Sequence, residues 1–219
     1  MNIRFIDLLR KHRSFLIPFF IFLSIAFYIE AIFSKADLFL LTNQYHSPFW
    51  DHFFILTTWL GDGKVLLLVG ACLCMVKYRY AVLTLLSFCY TGIVTQVLKR
   101  LFEIPRPMAF FEGNDAIRTI PGYEIYTWNS FPSGHSTTAF TFAMVLMHLL
   151  LSYRYRAAVI FPLALIAIIS RVYLSQHFFQ DIVAGSILGT VLTLQMIWWL
   201  ENSKWYHSSM LDRKMFSKR

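Results

Sequence analysis

The chain has 219 residues, the length of one ordinary domain, but 57% of them are hydrophobic and only 15% are charged. With a mean hydropathy of +0.54, this composition excludes a soluble globular domain and indicates an integral membrane protein. The net charge of +8 does not indicate a nucleic-acid partner, because the basic residues are scattered over short loops and tails. We therefore expect a single membrane domain over residues 1–219.

Apolar segments predict the helices, since crossing the hydrocarbon core takes about 20 apolar residues. Six segments qualify or nearly qualify, in chain order residues 15–33, 65–76, 80–98, 137–151, 157–173 and 182–200. The second is short, and residues 49–60 before it could form an interfacial helix. The predicted fold is all-α: a polytopic membrane protein with six transmembrane helices in an antiparallel bundle.

The lysines and arginines predict the orientation of these helices. With a cytoplasmic N-terminus, thirteen of the twenty basic residues fall on the cytoplasmic side, five of them in a basic tail over residues 201–219. Both termini are then cytoplasmic. The chain is short, which favours a bacterial inner membrane, and the opposite side of the bundle would be periplasmic.

Three polar stretches converge on that outer side. They are KRLFEIPRP at residues 99–107, PSGH at residues 132–135 and SRVYLSQHFFQD at residues 170–181. An antiparallel arrangement of the last four helices brings all three to one mouth at the membrane surface. We expect the active site there.

The residue types in this mouth suit a phosphate group. Lys99, Arg106 and Arg171 supply three cations, and an arginine can hold two phosphate oxygens at once. Gly134 allows the backbone to come close to a ligand, and the amides near Ser133 and Gly134 would point at an anion from a helix N-terminus. The Ser133 hydroxyl adds a further polar group.

The histidines supply the chemistry. His177 and Asp181 are spaced to share one face of a helical turn, so the carboxylate can orient the ring for nucleophilic attack on phosphorus. His135 can then protonate the departing oxygen. Because the three cations already neutralise the phosphate, we expect neither a metal nor another cofactor.

Each residue taken alone has a simpler structural explanation. Lys99 could be an interfacial anchor, Ser133 a helix cap and Asp181 the cap of the last helix. Arg171 is harder to explain in this way, because it ends an apolar helix on the less basic side of the membrane. The coincidence of all of them in one order favours a functional site.

The series Lys-x6-Arg-Pro, Pro-Ser-Gly-His and Ser-Arg-x5-His-x3-Asp strongly resembles the type 2 phosphatidic acid phosphatase superfamily, in its membrane lipid phosphate phosphatase branch. The resemblance covers residues 99–181. It implies that His177 becomes a phosphohistidine, that Asp181 supports it and that His135 is the general acid. It also implies that the phosphate is held by Lys99, Arg106, Ser133, Gly134 and Arg171. Phe178, Phe179 and Gln180 replace a segment in which many relatives carry a proline.

The expected function is hydrolysis of a phosphomonoester or diphosphate on a membrane lipid. Undecaprenyl diphosphate, phosphatidylglycerol phosphate, phosphatidic acid and the phosphates of lipid A are all handled by similar proteins. Two alternatives remain open: a phosphotransferase that uses an acceptor other than water, and a non-enzymatic membrane protein that binds anions or lipids. The sequence assigns no role to Glu30, Asp51, His52 or the loop over residues 108–131.

Overall fold

A computed structural model describes residues 3–112 and 117–216, and no strand occurs within these two ranges. Ten α-helices and one 3-10 turn make up the described fold. The helices are α1 Phe5–Lys11, α2 Arg13–Ile32, α3 Lys35–Asn43, α4 Pro48–Thr57, α5 Gly63–Leu73, α6 Tyr78–Phe102, α7 Pro107–Phe110, α8 Gly134–Leu149, α9 Arg156–Tyr173 and α10 Phe179–Glu201; the 3-10 turn is Thr58–Gly61.

Four helical stretches among the described residues are long and apolar enough to cross a membrane: Arg13–Ile32, Tyr78–Phe110, Arg156–Tyr173 and Phe179–Glu201. A fifth candidate is the pair Pro48–Gly61 and Gly63–Leu73, whose axes are bent by 51°. The residues predicted as an interfacial helix therefore run directly into the second predicted span. The remaining predicted segment, residues 137–151, coincides with α8, which has only 16 residues.

The shortness of α8 fits its position, because α6, α9 and α10 all pack around it. Much of its length is buried, including Phe140, Met144 and Met147. By contrast, α2 exposes Ile17, Phe20 and Ile21, as expected of a helix whose outer face meets lipid. The helix that begins at the PSGH motif is thus the centre of the bundle.

Two glycines bring α10 close to α8. A Cβ atom added at Gly185 would lie 2.5 Å from the carbonyl oxygen of Ser133, and one added at Gly189 would lie 2.4 Å from that of Thr137. Real Cβ atoms do not approach a backbone so closely, so the two helices can pack at this distance only because these positions lack side chains.

The C-terminal tail folds back onto the loop between α5 and α6. Backbone amides of Tyr78 and Arg79 donate to the carbonyls of Arg213 and Leu211, at 3.0 and 2.8 Å. Leu211 is also buried, as is Tyr206 earlier in the tail. The predicted basic tail is therefore a docked segment over residues 203–216, and its residues 217–219 lie outside the described part of the chain.

Candidate active site

The structure brings all the predicted site residues to one end of the bundle. Lys99 lies in the last turn of α6, Arg106 precedes α7, and Arg171 lies in the last turn of α9. The PSGH motif forms the N-terminus of α8, where Ser133 is the cap and is followed by Gly134 and His135. His177 lies between α9 and α10, and Asp181 is in the first turn of α10.

His177 and Asp181 form a buried pair. Nδ1 of His177 lies 3.4 Å from Oδ2 of Asp181, and the two side chains are 2% and 0% exposed. Oδ2 also accepts hydrogen bonds from the Phe178 amide, at 2.9 Å, and from the Ser130 hydroxyl. Because Nδ1 faces the carboxylate, Nε2 is the ring nitrogen available to a substrate.

Burial lowers the pKa of His177 well below its usual value, and the charges of Arg106, Arg171 and Lys99 lower it further. The imidazole is therefore neutral at pH 7. A neutral ring keeps the lone pair on Nε2, which nucleophilic attack requires. The Asp181 carboxylate would stabilise the ring once it becomes cationic.

Two of the cations, Lys99 and Arg106, are held by carbonyl groups of one loop segment. The ammonium of Lys99, a residue only 7% exposed, donates to the carbonyl of Asn129. Nε of Arg106 donates to the carbonyl of Trp128 at 2.9 Å. These acceptors are neutral, so they orient the two cations and leave their positive charge in place.

The third cation, Arg171, is 3% exposed and approaches the site from α9. Its Nη1 donates to the hydroxyl of Thr58 at 2.7 Å and to that of Tyr123 at 3.3 Å. Its Nε is buried and has no hydrogen-bond partner among residues 3–112 and 117–216. A buried guanidinium N–H without an acceptor costs free energy, and an anionic ligand would provide that acceptor.

An open cavity of about 270 Å³ leads to this group of residues. Arg171 and His135 both line it, and the His135 ring makes no hydrogen bond to any described residue. The remaining lining is aromatic or polar for the most part: Ile55, Thr58, Trp59, Asp62, Tyr123, Glu124, Tyr126 and Gln176. A substrate in this cavity would thus meet a cation and an unengaged imidazole together.

Ser133 has a structural role that the sequence also suggested. Its hydroxyl oxygen accepts hydrogen bonds from the amide and the hydroxyl of Ser136, at 3.3 and 3.0 Å, and the residue is fully buried. Its own amide donates to the carbonyl of Asp181 at 3.0 Å. Ser133 therefore caps α8 and ties the start of that helix to the start of α10.

Four residues that contribute to the site were not predicted. Ser130 stands beside the PSGH motif, and Tyr123 lies in the loop over residues 108–131, to which the sequence assigns no role. Thr58 and Gln176 cannot be singled out from the sequence, because a lone polar residue near an apolar segment carries no spacing signal. Their roles arise from tertiary contacts with Asp181, Arg171 and Arg106.

The structure shows the surroundings of the residues to which the sequence assigned no role. Oε1 of Glu30, on α2, is buried without a partner among the described residues. Asp51 accepts a hydrogen bond from the hydroxyl of Tyr173, at 2.6 Å, and lies 3.1 Å from Nδ1 of His46. His52 is exposed and bonds to the carbonyl of Pro48 at 2.7 Å. Within the loop over residues 108–131, residues 113–116 lie outside the described residues.

Among the described residues, no group of three or more His, Cys, Asp or Glu side chains is arranged to hold a metal ion. Beside the polar residues of the cavity lining, the site gathers three cations, two histidines and the buried carboxylate of Asp181. This is a set suited to binding a phosphate and transferring it to a histidine nitrogen.

The fold is a helical bundle with apolar helices long enough to cross a membrane, and one end of it gathers two histidines, a buried carboxylate and three cations. The family model of the PAP2 superfamily matches residues 80–205, and the chain belongs to that superfamily. It is an integral membrane protein of the lipid phosphatase kind. No curated protein matches the chain.

Two solved structures are similar. A crystal structure of LpxE from Aquifex aeolicus is 28% identical, with a TM-score of 0.65 over 74% of this chain and 93% of that one. A transmembrane PAP2 type phosphatidylglycerolphosphate phosphatase from Bacillus subtilis is 25% identical, with a TM-score of 0.63 over 86% of this chain and 96% of that one.

Proposed function

We propose that this protein hydrolyses a phosphomonoester or diphosphate on a membrane lipid through a phosphohistidine intermediate and without a metal ion. The observation that carries the proposal is the His177–Asp181 pair. Its Nδ1 side is held at 3.4 Å from the carboxylate, and the charges of Arg106, Arg171 and Lys99 all act on the same ring, which supports a phosphate position between them and Nε2.

In the first step, Nε2 of His177 attacks phosphorus, a P–N bond forms, and the bond from phosphorus to the leaving oxygen breaks. His135 gives its proton to that oxygen, and Asp181 stabilises the positive charge on the phosphorylated ring. Lys99, Arg106 and Arg171, together with the amide at Gly134, hold the phosphate oxygens, while Ser133 keeps the start of α8 in place.

In the second step, water attacks the phosphohistidine, and neutral His135 takes its proton. The P–N bond breaks, inorganic phosphate leaves and His177 is regenerated. Transfer to an acceptor other than water would follow the same path with an alcohol or a phosphate in place of water.

Within the membrane we propose six spans, with α8 as the short central one. About 1.5 Å of rise per residue makes a 16-residue helix roughly 24 Å long, and α6, α9 and α10 surround it. The termini would then be cytoplasmic and the site would lie at the periplasmic face of a bacterial inner membrane. A lipid headgroup at this face would reach the cations directly.

The relatives do not exclude any of the four candidate lipids. Phosphatidylglycerol phosphate is supported by the name of the Bacillus subtilis protein, and the SQHFFQD segment is similar to the lipid A phosphatase branch. Phosphatidic acid and undecaprenyl diphosphate complete the panel.

The experiment is release of inorganic phosphate by the purified protein from each of these four lipids in detergent micelles, without an added acceptor. We expect turnover of at least one lipid and none by a His177→Ala variant. Release that depends on an added alcohol would favour the phosphotransferase. Binding of the lipids without any release would favour the anion-binding alternative.

A further inference from the structure

The side chain of Gln176 uses both its amide oxygen and its amide nitrogen in hydrogen bonds beside the cations. The residue is buried, directly precedes His177, and follows Ser175, which has a φ of 57°. The amides of Gln176 and His177 both donate to the carbonyl of Arg171, at 3.0 and 3.2 Å. This tight turn fixes the direction in which the Gln176 side chain leaves the backbone.

That side chain connects two parts of the site. Its Oε1 accepts a hydrogen bond from Nη1 of Arg106 at 3.0 Å, and its Nε2 donates to the carbonyl of Glu124 at 2.8 Å. The main-chain carbonyl of Gln176 also accepts from Nη1, at 3.2 Å. One residue therefore holds one edge of the guanidinium through two oxygens, while the carbonyl of Trp128 holds Nε.

All the acceptors that Arg106 has among the described residues are neutral. No carboxylate within residues 3–112 and 117–216 lies within 4.0 Å of a basic nitrogen of Lys99, Arg106 or Arg171. A glutamate has nearly the same shape as glutamine and would accept the same hydrogen bond. It would also place a negative charge against Arg106, forming an ion pair and repelling a phosphate.

We propose that Gln176 is a positioning residue that fixes the orientation of Arg106 without neutralising it, so that the full charge of Arg106 acts on the substrate phosphate. The inference rests on the proposed phosphate chemistry of the site. Position 176, directly before the proposed nucleophile, would then require an uncharged hydrogen-bond acceptor. A polar side chain that carries a negative charge would not serve.

The test compares Gln176→Glu with a matched variant, Gln176→Met. Both remove the hydrogen bond to the Glu124 carbonyl, and both keep the main-chain carbonyl that holds Nη1. The glutamate keeps a side-chain oxygen for Nη1 and adds a negative charge, whereas the methionine has neither. Two quantities are measured from pH 5 to pH 8: KM and kcat on a lipid phosphate, and the rise in thermal midpoint that orthovanadate causes in the detergent-purified protein. The second does not require turnover, since any ligand that binds the folded state raises its stability.

At pH 8 we expect KM for Gln176→Glu to be at least about tenfold higher than for Gln176→Met. A factor of this size is what one ordinary ion pair or hydrogen bond to the substrate can contribute to binding. The vanadate effect should be correspondingly weaker. Relative to the wild type, both defects of Gln176→Glu should persist down to pH 5, because a glutamate has an ordinary pKa of about 4.3 and pairing with a neighbouring arginine lowers it further. In an Arg106→Ala background the difference between the two variants should disappear, because residues that act through one another are not additive.

Equal effects of the two variants at every pH would overturn the proposal, because they would mean that only the contact with Glu124 matters. A Gln176→Glu defect that persists unchanged in the Arg106→Ala background would do so too. If the wild type is stabilised by vanadate but hydrolyses none of the four lipids, the proposed function fails, and the vanadate comparison still decides the role of Gln176. Thermal midpoints without vanadate show whether each variant folds.

Discussion

The hydroxyl of Ser130 donates a hydrogen bond to Oδ2 of Asp181 and lies 3.4 Å from Nδ1 of His177. Ser130 is fully buried, and its amide donates to the carbonyl of Ile104 at 2.8 Å. The loop before α8 is thereby attached both to the chain after α6 and to the catalytic pair. Partners of this kind, one shell beyond the reacting groups, orient them and set their basicity.

We expect Ser130→Ala to lower kcat by roughly tenfold, since one donor to a buried carboxylate contributes on the order of 1–3 kcal/mol. KM should change little, because no phosphate-binding residue loses a contact. Ser130→Thr keeps the hydroxyl and serves as the control. A loss of the same size in Ser130→Thr would show that packing at this position, not the hydrogen bond, is responsible.

The two histidines should be separable by the choice of leaving group. His177→Ala removes the group that accepts phosphorus, so it should be inactive on every substrate. His135→Ala keeps the nucleophile and should lose roughly 10²-fold or more on a lipid phosphate. An aryl phosphate, whose leaving group needs no proton, should restore much of that loss.

Asp181→Asn should fall between these two variants, because it keeps a hydrogen-bonding side chain but loses the charge that stabilises the cationic ring. The measurement is the initial rate on both substrates, together with acid-quench trapping of labelled phosphoprotein. Trapped label in His177→Ala, or restoration of that variant by the aryl phosphate, would reverse the assignment of the two roles.

Because Lys99, Arg106 and Arg171 can together neutralise the phosphate of the substrate, we predict that the protein is active without a divalent ion. Full turnover should persist in EDTA, and vanadate should inhibit, because it can adopt the five-coordinate geometry of phosphoryl transfer. Inactivation by EDTA with recovery on adding magnesium would contradict the electrostatic account of the site.

The orientation can be tested by labelling. Gly113, in the loop over residues 108–131, lies outside the described residues. Thr119 is exposed in the same loop and can be changed to cysteine in a background where Cys72, Cys74 and Cys89 are changed to serine. An impermeant reagent should label Thr119→Cys in intact cells. Labelling only after lysis would place the site in the cytoplasm.

Because of the buried residue His12, at the junction of α1 and α2, we expect the folded protein to lose stability in acid. Burial lowers its pKa to about 4, and the neighbouring His148, Arg156 and Lys11 act in the same direction. Its Nδ1–H donates to the carbonyl of Leu8 at 2.9 Å, while Nε2 is buried without a partner among the described residues. The folded protein therefore holds this ring neutral.

Between the ordinary pKa of 6.5 and about 4, the unfolded chain binds more protons at this position than the folded one. The contribution to the free energy of unfolding is thus full above pH 6.5 and declines as the pH falls toward 4, by about 1.4 kcal/mol per pH unit. His12→Asn should flatten the dependence of the thermal midpoint on pH in this range. The exposed residue His52 provides the control, and a His52→Asn variant with the same flattening would refute the assignment.

Much of this fold follows from apolar segments alone, because a helix in lipid must be both apolar and long. The spans that became α2, α6, α9 and α10 were predicted to within a few residues. Helix α3 was missed, since it is short and only partly apolar, although Ser34 caps it through the amide of Asp37 and offered a recognisable signal. The joining of α4 and α5 into one bent unit depends on packing around Gly61, which no spacing reveals.

The residues of the site likewise fall into those that the sequence singles out and those that it does not. The proximity of His177 and Asp181 agrees with their four-residue spacing, but His177 lies before α10 and the two residues do not share a helical turn. His135 stands in the PSGH motif, at the start of α8. The loop carbonyls of Trp128 and Asn129, which hold Arg106 and Lys99, carry no side-chain signal. Gln176 could not be distinguished from any other polar residue until its three contacts were known.

The absence of side chains at Gly185 and Gly189 has a consequence for how the enzyme could change during evolution. His135 and Asp181 lie at the starts of two neighbouring helices, α8 and α10, and those helices can come so close only because Gly185 and Gly189 have no side chain. Any residue larger than glycine would force the helices apart and move His135 away from His177 and Asp181. A change of substrate is therefore far more accessible through the aromatic lining of the cavity, around Trp59 and Tyr126, than through the helices that carry the chemistry.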